Sequence, residues 1–516
     1  MLLKEESLSR KFITKGAWLY LFVFLTAPLG YVIRIILTGD LNPSEIGIIY
    51  GTISLLSLLG TYTDFGLTES LNYFLPKYII KNDYARTKYL LLFTLSVQII
   101  TSTLVSLGLF FGSSWIAGHY FHTEQAQGVI QILTLYFIGI HLIQVITTFL
   151  NAIQNTKIMK MIEFFRMFVT MIGASILLFS GSGNIYSYSW TWIIGLYIGL
   201  IFGSIIFYIS YYRQHLTIPL QKDTLLRKEI IKYSLGTLFS ANVGTLLHQV
   251  DMQFLTYFLG VYDAGIYAIY LSLVGIPFIF LSPLISFLFP VISEIGGRGE
   301  KAKIKTIYST FSTYASVIIA WMAGLFFVSS EEIAAFLFGE TFLGSGIALY
   351  FVAPFLIFNI LVQINFQILG GLGFVRKRIE ILIWTLLLNI SVNLICILGY
   401  KYGYIPFPNG SAAASFSVGI SWILMWFLSY RAIHEYTVGF NWRFFLQNIG
   451  AIIFFMIAFV LLEDGRDITF GLTGRLQYAP SIGFALLGSL TIFFIVNTSH
   501  IKEFLSTVRK VRSGML

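Results

Sequence analysis

The sequence predicts an all-α polytopic membrane protein. About fourteen transmembrane helices are expected, as two six-helix bundles followed by an extra helix pair. Three observations predict this. Of the 516 residues, 57% are hydrophobic and only 11% charged, against roughly 25% charged in a soluble domain, so the chain's solvent is largely lipid. Apolar runs of about 20 residues recur along the whole chain. Landmarks of the first half return in the second at nearly one spacing. The runs are too long for membrane β-strands and lack their alternation.

The spans fall at roughly 14–38, 46–75, 87–112, 127–150, 158–180, 187–212, 233–258, 264–291, 306–329, 345–370, 379–400, 410–431, 444–462 and 481–498. The first follows Lys4, Arg10, Lys11 and Lys15 but is too long for a signal-peptide core, so it reads as an uncleaved span. Residues 1–212 then form an N-terminal six-helix bundle and 213–232 a cytoplasmic linker. Residues 233–432 form a C-terminal six-helix bundle, and 433–516 the extra pair with a cytoplasmic tail. With both termini cytoplasmic, the outer loops hold only Lys401, Arg466 and Arg475, and Arg34 and Arg166 lie within spans. The other 28 of 33 Lys and Arg fall inside, as the positive-inside rule requires. The net charge of +9 is this loop bias, and nucleic acid is not an expected partner.

The repeat rests on two pairs of landmarks. Gly47-Ile48-Ile49-Tyr50 follows the turn after span one, and Gly265-Ile266-Tyr267 follows span seven, 218 residues later. Glu163 opens span five and Glu380 opens span eleven, 217 residues later. An even number of spans per repeat gives the halves one orientation.

Chemistry-bearing residues inside spans are few, and each is costly in lipid without a partner or water. Arg34 and Asp251 occupy near-equivalent places in the two halves with opposite charge. They are expected to meet across an outer gate, or else to snorkel or pair within their own halves. Arg166 stands three residues after Glu163, where the two can pair locally. Asp64 and Glu69 lie in the second span, whose 31 residues from Ile46 to Pro76 would reach about 46 Å as one helix. That run must tilt, break near Gly66 or project into the cytoplasm. Asp64 and Glu69 are then expected at its inner mouth. His248, one turn before Asp251, is a candidate for proton coupling or a packed neutral histidine, and His141 is read the same way. Pro277, Pro283 and Pro290 fall in one span and predict a bent helix, either hinging or static. No metal-ligand spacing, nucleotide loop or nucleophile–base arrangement is present, so no catalytic residue and no cofactor are expected. Cys396 is the one cysteine and forms no intrachain disulfide.

The segment R-x-x-L-x(5)-P-x-x-x-G from Arg34 to Gly47 and the D-F-G-L that begins at Asp64 resemble polysaccharide flippases. These are the Wzx-type branch of the MOP exporter superfamily. Asp251 with Leu259–Tyr267 (LGVYDAGIY), and the loop Phe336–Glu340 (FLFGE), are similar to the same family. The resemblance implies two bundles around a central cleft, as in MATE and other MOP proteins. It implies transport of undecaprenyl-diphosphate-linked oligosaccharide to the outer leaflet of the cell membrane, and the sequence leaves the choice of a coupling ion, H+ or Na+, open. Arg166 would offer its bidentate fork to the lipid diphosphate. Membrane lipids, a glycan polymerase and glycosyltransferases are the implied partners. A multidrug or lipid II exporter is the alternative within the same fold. A membrane glycan polymerase or ligase, which needs sizeable outer loops, is the alternative from another class, and a non-transporting scaffold is a third.

Overall fold

The computed structural model describes residues 8–220, 223–437, 439–463 and 473–512, without the side chains of 8–20, 23, 239–241, 283 and 499–512. The described chain is helical throughout. Its helices are α1 (Leu8–Asp40), α2 (Pro43–Thr63), α3 (Leu67–Ile80), α4 (Tyr84–His119), α5 (Gln125–Ala152), α6 (Thr156–Ser180) and α7 (Ile185–Phe207). A π-helical turn (Tyr208–Tyr212) and the single turn α8 (Arg213–His215) extend α7. There follow α9 (Thr224–Phe258), α10 (Val261–Ser286), α11 (Leu288–Gly297), α12 (Lys301–Phe338), α13 (Leu343–Val352), α14 (Leu356–Gly371), α15 (Val375–Lys401), α16 (Gly410–Ala432), α17 (Trp442–Glu463) and α18 (Ala479–Arg512). Twelve helices among the described residues are long and apolar enough to cross a membrane. They coincide with twelve of the fourteen expected spans. The other two, at 14–38 and 233–258, fall on α1 and α9.

Helix starts are written locally. Asn42 caps α2, accepting from the Glu45 amide while Glu45 reaches back to the Asn42 amide, and Pro43 occupies the first turn, where its missing N–H costs nothing. Asn184 and Asn409 likewise cap α7 and α16, accepting from the Ser187 and Ala412 amides. In the linker, Asp223 caps α9 through the Leu226 amide and pairs with Arg86 at 3.0 Å. These contacts, the Leu226 amide first, hold its carboxyl below the usual carboxylate range. Their contribution is therefore present above that range and is lost as pH falls through the depressed folded value.

The chain divides into two compact units. Residues 1–272 and 393–404 form one, and residues 273–392 and 405–516 the other. In the first unit α4 packs on α5, α6 on α1 and α7, and α9 on α2 and α3. Its core includes Leu71, Leu90, Phe149, Leu196 and Ile230, all fully buried. α6 and α7 meet along a glycine ridge. A Cβ at Gly195, Gly199 or Gly203 would strike Thr170, Arg166 or Ile162 respectively. Small residues at four-residue spacing let helix backbones approach in lipid, where van der Waals packing replaces the hydrophobic drive.

In the second unit α12 packs on α13, α14, α17 and α18. Trp321 donates to Asn448 at 2.9 Å, and Asn448 and Asn497 exchange amide hydrogen bonds at 3.1 and 2.9 Å. Buried amides thus clip the extra pair onto α12, where no water competes for them. The proline-rich span is not one helix: α10 ends at Ser286, Phe287 interrupts, and α11 begins at Leu288. Pro277 lies inside α10, and Pro290 sits in the first turn of α11, a position that tolerates it. Pro283 lies in α10, with its side chain outside the described residues.

Candidate functional site

The second span breaks, and the break builds a cavity. α2 stops at Thr63, Phe65 and Gly66 take left-handed backbone (φ 50° and 76°), and α3 starts at Leu67. Asp64 supports the new helix: its carboxylate accepts from the Gly66 amide at 2.8 Å and the Thr68 amide at 3.1 Å. A negative charge at a helix N-terminus is favoured by the dipole and by the unpaired amides there. Asp64 is buried; it is a structural cap as well as a cavity residue. Removing the cap in Asp64→Ala is expected to cost about 1 kcal/mol. Gly66→Ala is expected to cost more, because φ is positive and a Cβ would strike the Ser234 carbonyl. Thermal melting of the two variants in detergent checks the order.

Asp64 and Glu69 face a cavity of about 240 Å³ that also meets His141, Gln144, Asn242 and Thr245. Gly60 makes room for the His141 ring, since a Cβ there would lie 3.1 Å from it. The Nδ1 of His141 lies 2.7 Å from the Phe137 carbonyl, so that nitrogen carries a proton. Its Nε2 is 3.0 Å from the Thr63 hydroxyl, which also lies 2.9 Å from the Gly60 carbonyl. One hydroxyl hydrogen cannot serve both. A neutral ring takes it and leaves the Gly60 carbonyl, whereas a doubly protonated ring donates to Thr63 and satisfies all three groups.

A second cavity, about 350 Å³, lies between α5 and α6 and shares Ile140 and Gln144 with the first. Lys160, Glu163 and Arg166 line it. The local Glu163–Arg166 pair allowed by their spacing is not formed; Glu163 binds Lys160 at 2.7 Å instead. The physical reason lies on α7. Gly199 lets the Arg166 stem seat against that helix, while Lys160, one turn the other way, is free to reach Glu163. Among the described residues Arg166 has no ion pair and no side-chain hydrogen bond, and its guanidinium borders an open cavity.

Arg34 lies on α1 with its guanidinium 5.6 Å from the Tyr50 ring centre. Tyr50 meets Trp192 of α7 edge-on at 6.4 Å. Arg34 Nε, the Tyr50 hydroxyl and Trp192 Nε1 are all buried without a hydrogen-bond partner. Three unsatisfied donors in one neighbourhood are a costly arrangement for a protein interior. Asp251 is buried and accepts from the Tyr267 hydroxyl at 3.2 Å and the Asn393 amide at 2.6 Å. No ion pair joins it to Arg34 among the described residues. His248 is exposed. Sequence reasoning missed Tyr50, Trp192, Gln144, Asn242, Tyr267 and Asn393, none of which carries a charge to mark it. The glycine spacing 195, 199, 203 was a readable pointer to the α6–α7 contact that holds Arg166.

Residues 12–296 match the model of a family described as polysaccharide biosynthesis protein. An uncharacterized membrane protein of Methanocaldococcus jannaschii is 24% identical over 98% of this chain and 100% of its own length. Among solved structures, the lipid II flippase MurJ in an inward closed conformation aligns with TM-score 0.69 at 14% identity, covering 94% of this chain and 99% of its own. An inward-facing multidrug resistance MATE transporter of the MOP superfamily aligns with TM-score 0.67 at 11% identity, covering 80% and 95%. These similarities establish a multi-pass membrane protein with the fold of MOP-superfamily transporters.

Proposed function

The chain belongs to the polysaccharide biosynthesis protein family, and from that premise we propose that it flips undecaprenyl-diphosphate-linked oligosaccharide from the cytoplasmic to the outer leaflet. The protein then sits in the cell membrane with both termini cytoplasmic and moves its cargo by alternating access. No covalent bond is made or broken. H+ or Na+ supplies the drive; glycosyltransferases act before it and a glycan polymerase after it.

One observation carries this reading. Arg166 presents an unpaired guanidinium to a cavity inside an apolar bundle. Such a charge is retained in a membrane helix at a cost that a purely structural role does not offset. Guanidinium is the side chain best matched to diphosphate oxygens, through two parallel hydrogen bonds. Lys160 adds a second cation at the same cavity, partly neutralised by Glu163. The neighbouring cavity supplies carboxylate, amide and hydroxyl groups able to take up sugar hydroxyls in place of water. Arg34, over Tyr50, is a further cation for the same polar cargo and the proposed gate partner of Asp251.

Arg166→Ala is expected to lower glycan export roughly 10- to 100-fold, the equivalent of one charge-assisted contact of about 1.5–3 kcal/mol. Arg166→Lys, which keeps charge without the fork, is expected to fall between. The measurement is accumulation of lipid-linked glycan on the inner leaflet of cells that express each variant at wild-type level. Wild-type export by Arg166→Ala sinks the assignment.

A further inference from the structure

Away from the polar cavities, α4, α5 and α7 enclose an apolar groove of about 360 Å³ lined by residues that include Leu91, Leu95, Ile99, Leu142, Leu200 and Tyr212. The α5 residues that line it are not those that line the two polar cavities. Its side is open, since Ile99 is 44% exposed and Tyr208 is 52% exposed. Along α7 and the π-turn after it the lining runs from Leu200 to Tyr212, about 18 Å at helical rise. That depth is close to half of a ~30 Å hydrocarbon core, the reach of one leaflet.

One end of the groove is basic. Lys88 precedes Leu91 by one turn of α4, and its Nζ lies 5.7 Å from the Tyr212 ring centre. It donates to the Ile218 carbonyl at 2.5 Å, which leaves two of its three N–H groups for another acceptor. No carboxylate pairs with it among the described residues. The nearby acids Asp83 and Asp223 both contact Arg86. Arg213 is exposed directly after Tyr212. The π-helical turn Tyr208–Tyr212 ends α7 at this point and stacks the Tyr208 and Tyr212 rings at 5.8 Å. π-Turns are rare and concentrate at functional sites. Stacked tyrosines and basic side chains at one end of a hydrocarbon-deep slot match the parts of a phospholipid in order: phosphate, interface, acyl chain.

We propose that this groove is a binding site for an anionic phospholipid of the bilayer, with one acyl chain between α4, α5 and α7 and its phosphate at Lys88 and Arg213. The groove is too apolar for a glycan, and its basic end selects negative headgroups over zwitterionic ones. The site is independent of the proposed cargo path. Its lipid braces the end of α7 and, through Lys88, the backbone at Ile218 where the linker leaves the bundle.

The test uses the full-length protein, stripped of lipid in detergent and presented with equal phosphatidylglycerol and phosphatidylcholine in native mass spectrometry. The wild type is expected to retain phosphatidylglycerol about tenfold over phosphatidylcholine. Lys88→Gln with Arg213→Gln is expected to bring that ratio near one. Leu95→Trp, which fills the groove, is expected to reduce retention of both lipids. Inorganic phosphate in excess is expected not to displace the lipid, because phosphate alone leaves the groove empty. Equal retention of the two lipids by the wild type overturns the proposal, as does a preference that survives the double substitution or displacement by free phosphate. The wild-type ratio decides the matter by itself if a variant fails to fold.

Discussion

Gly47→Leu is expected to abolish recovery of folded protein. Gly47 stands one turn into α2, and a Cβ there would fall onto the carbonyl oxygen of Val261. Gly265 is its counterpart on α10, and a Cβ there would fall onto the carbonyl oxygen of Pro43. The contact is reciprocal, and Val261 follows Pro43 by the same 218 residues that separate the two glycines. Equivalent helix starts therefore cross each other about a local two-fold axis, backbone against backbone. Neither side can yield by a rotamer change, because the obstructing atoms are main-chain carbonyls. Overpacking of a side-chain core costs roughly 1–3 kcal/mol; here relief requires separating two helices, with larger cost. Gly108→Leu is the control, since nothing lies within 4 Å of a Cβ on Gly108. Size-exclusion profiles of fluorescently tagged variants should show Gly108→Leu eluting as the wild type and Gly47→Leu as aggregate or absent. A monodisperse Gly47→Leu with an unchanged melting temperature refutes the crossing.

That crossing also shows what the sequence could and could not disclose. Twelve of the fourteen spans were readable because long apolar runs have no other use in a chain so poor in charge, but the proline-rich span, read as one bent helix, is two. Gly47 and Gly265 were readable as landmarks of a repeat, but not as each other's neighbours, since spacing along the chain says nothing about which helices meet. The second span was visibly too long to be straight. Its break at Asp64–Gly66 was one of three outcomes, and the close approach of the Ser234 carbonyl of α9 to Gly66 could not be read from the chain. Glu163 had a cation three residues away on either side, and a glycine on α7 decides between them. Uncharged partners such as Tyr50, Trp192 and Asn393 carry no mark in an apolar run. Their importance arises from burial, which is tertiary.

Asp251→Ala is expected to be the most damaging single truncation of a polar side chain in the first unit, while Asp251→Asn leaves the fold largely intact. Tyr267 is 1% exposed and Asn393 fully buried, and both donate to the Asp251 carboxylate. Alanine removes the acceptor that both donors use and breaks both bonds, each at about 1–3 kcal/mol, for a total on the order of 2–6 kcal/mol. Asparagine keeps one acceptor oxygen in place, and the Tyr267 hydroxyl can turn to accept from the new amide. Melting curves in detergent separate the two, and an Asp251→Ala curve that overlays the wild type shows that the network holds nothing. The folded Asp251→Asn variant then isolates charge from packing. If Arg34 and Asp251 meet in another state of the transport cycle, Asp251→Asn combined with Arg34→Gln is expected to export no worse than the poorer single variant, because each single loss already breaks the shared contact. Independent roles instead multiply the two defects. A multiplied defect therefore removes the gate while leaving the buried network, and the stability argument built on it, untouched.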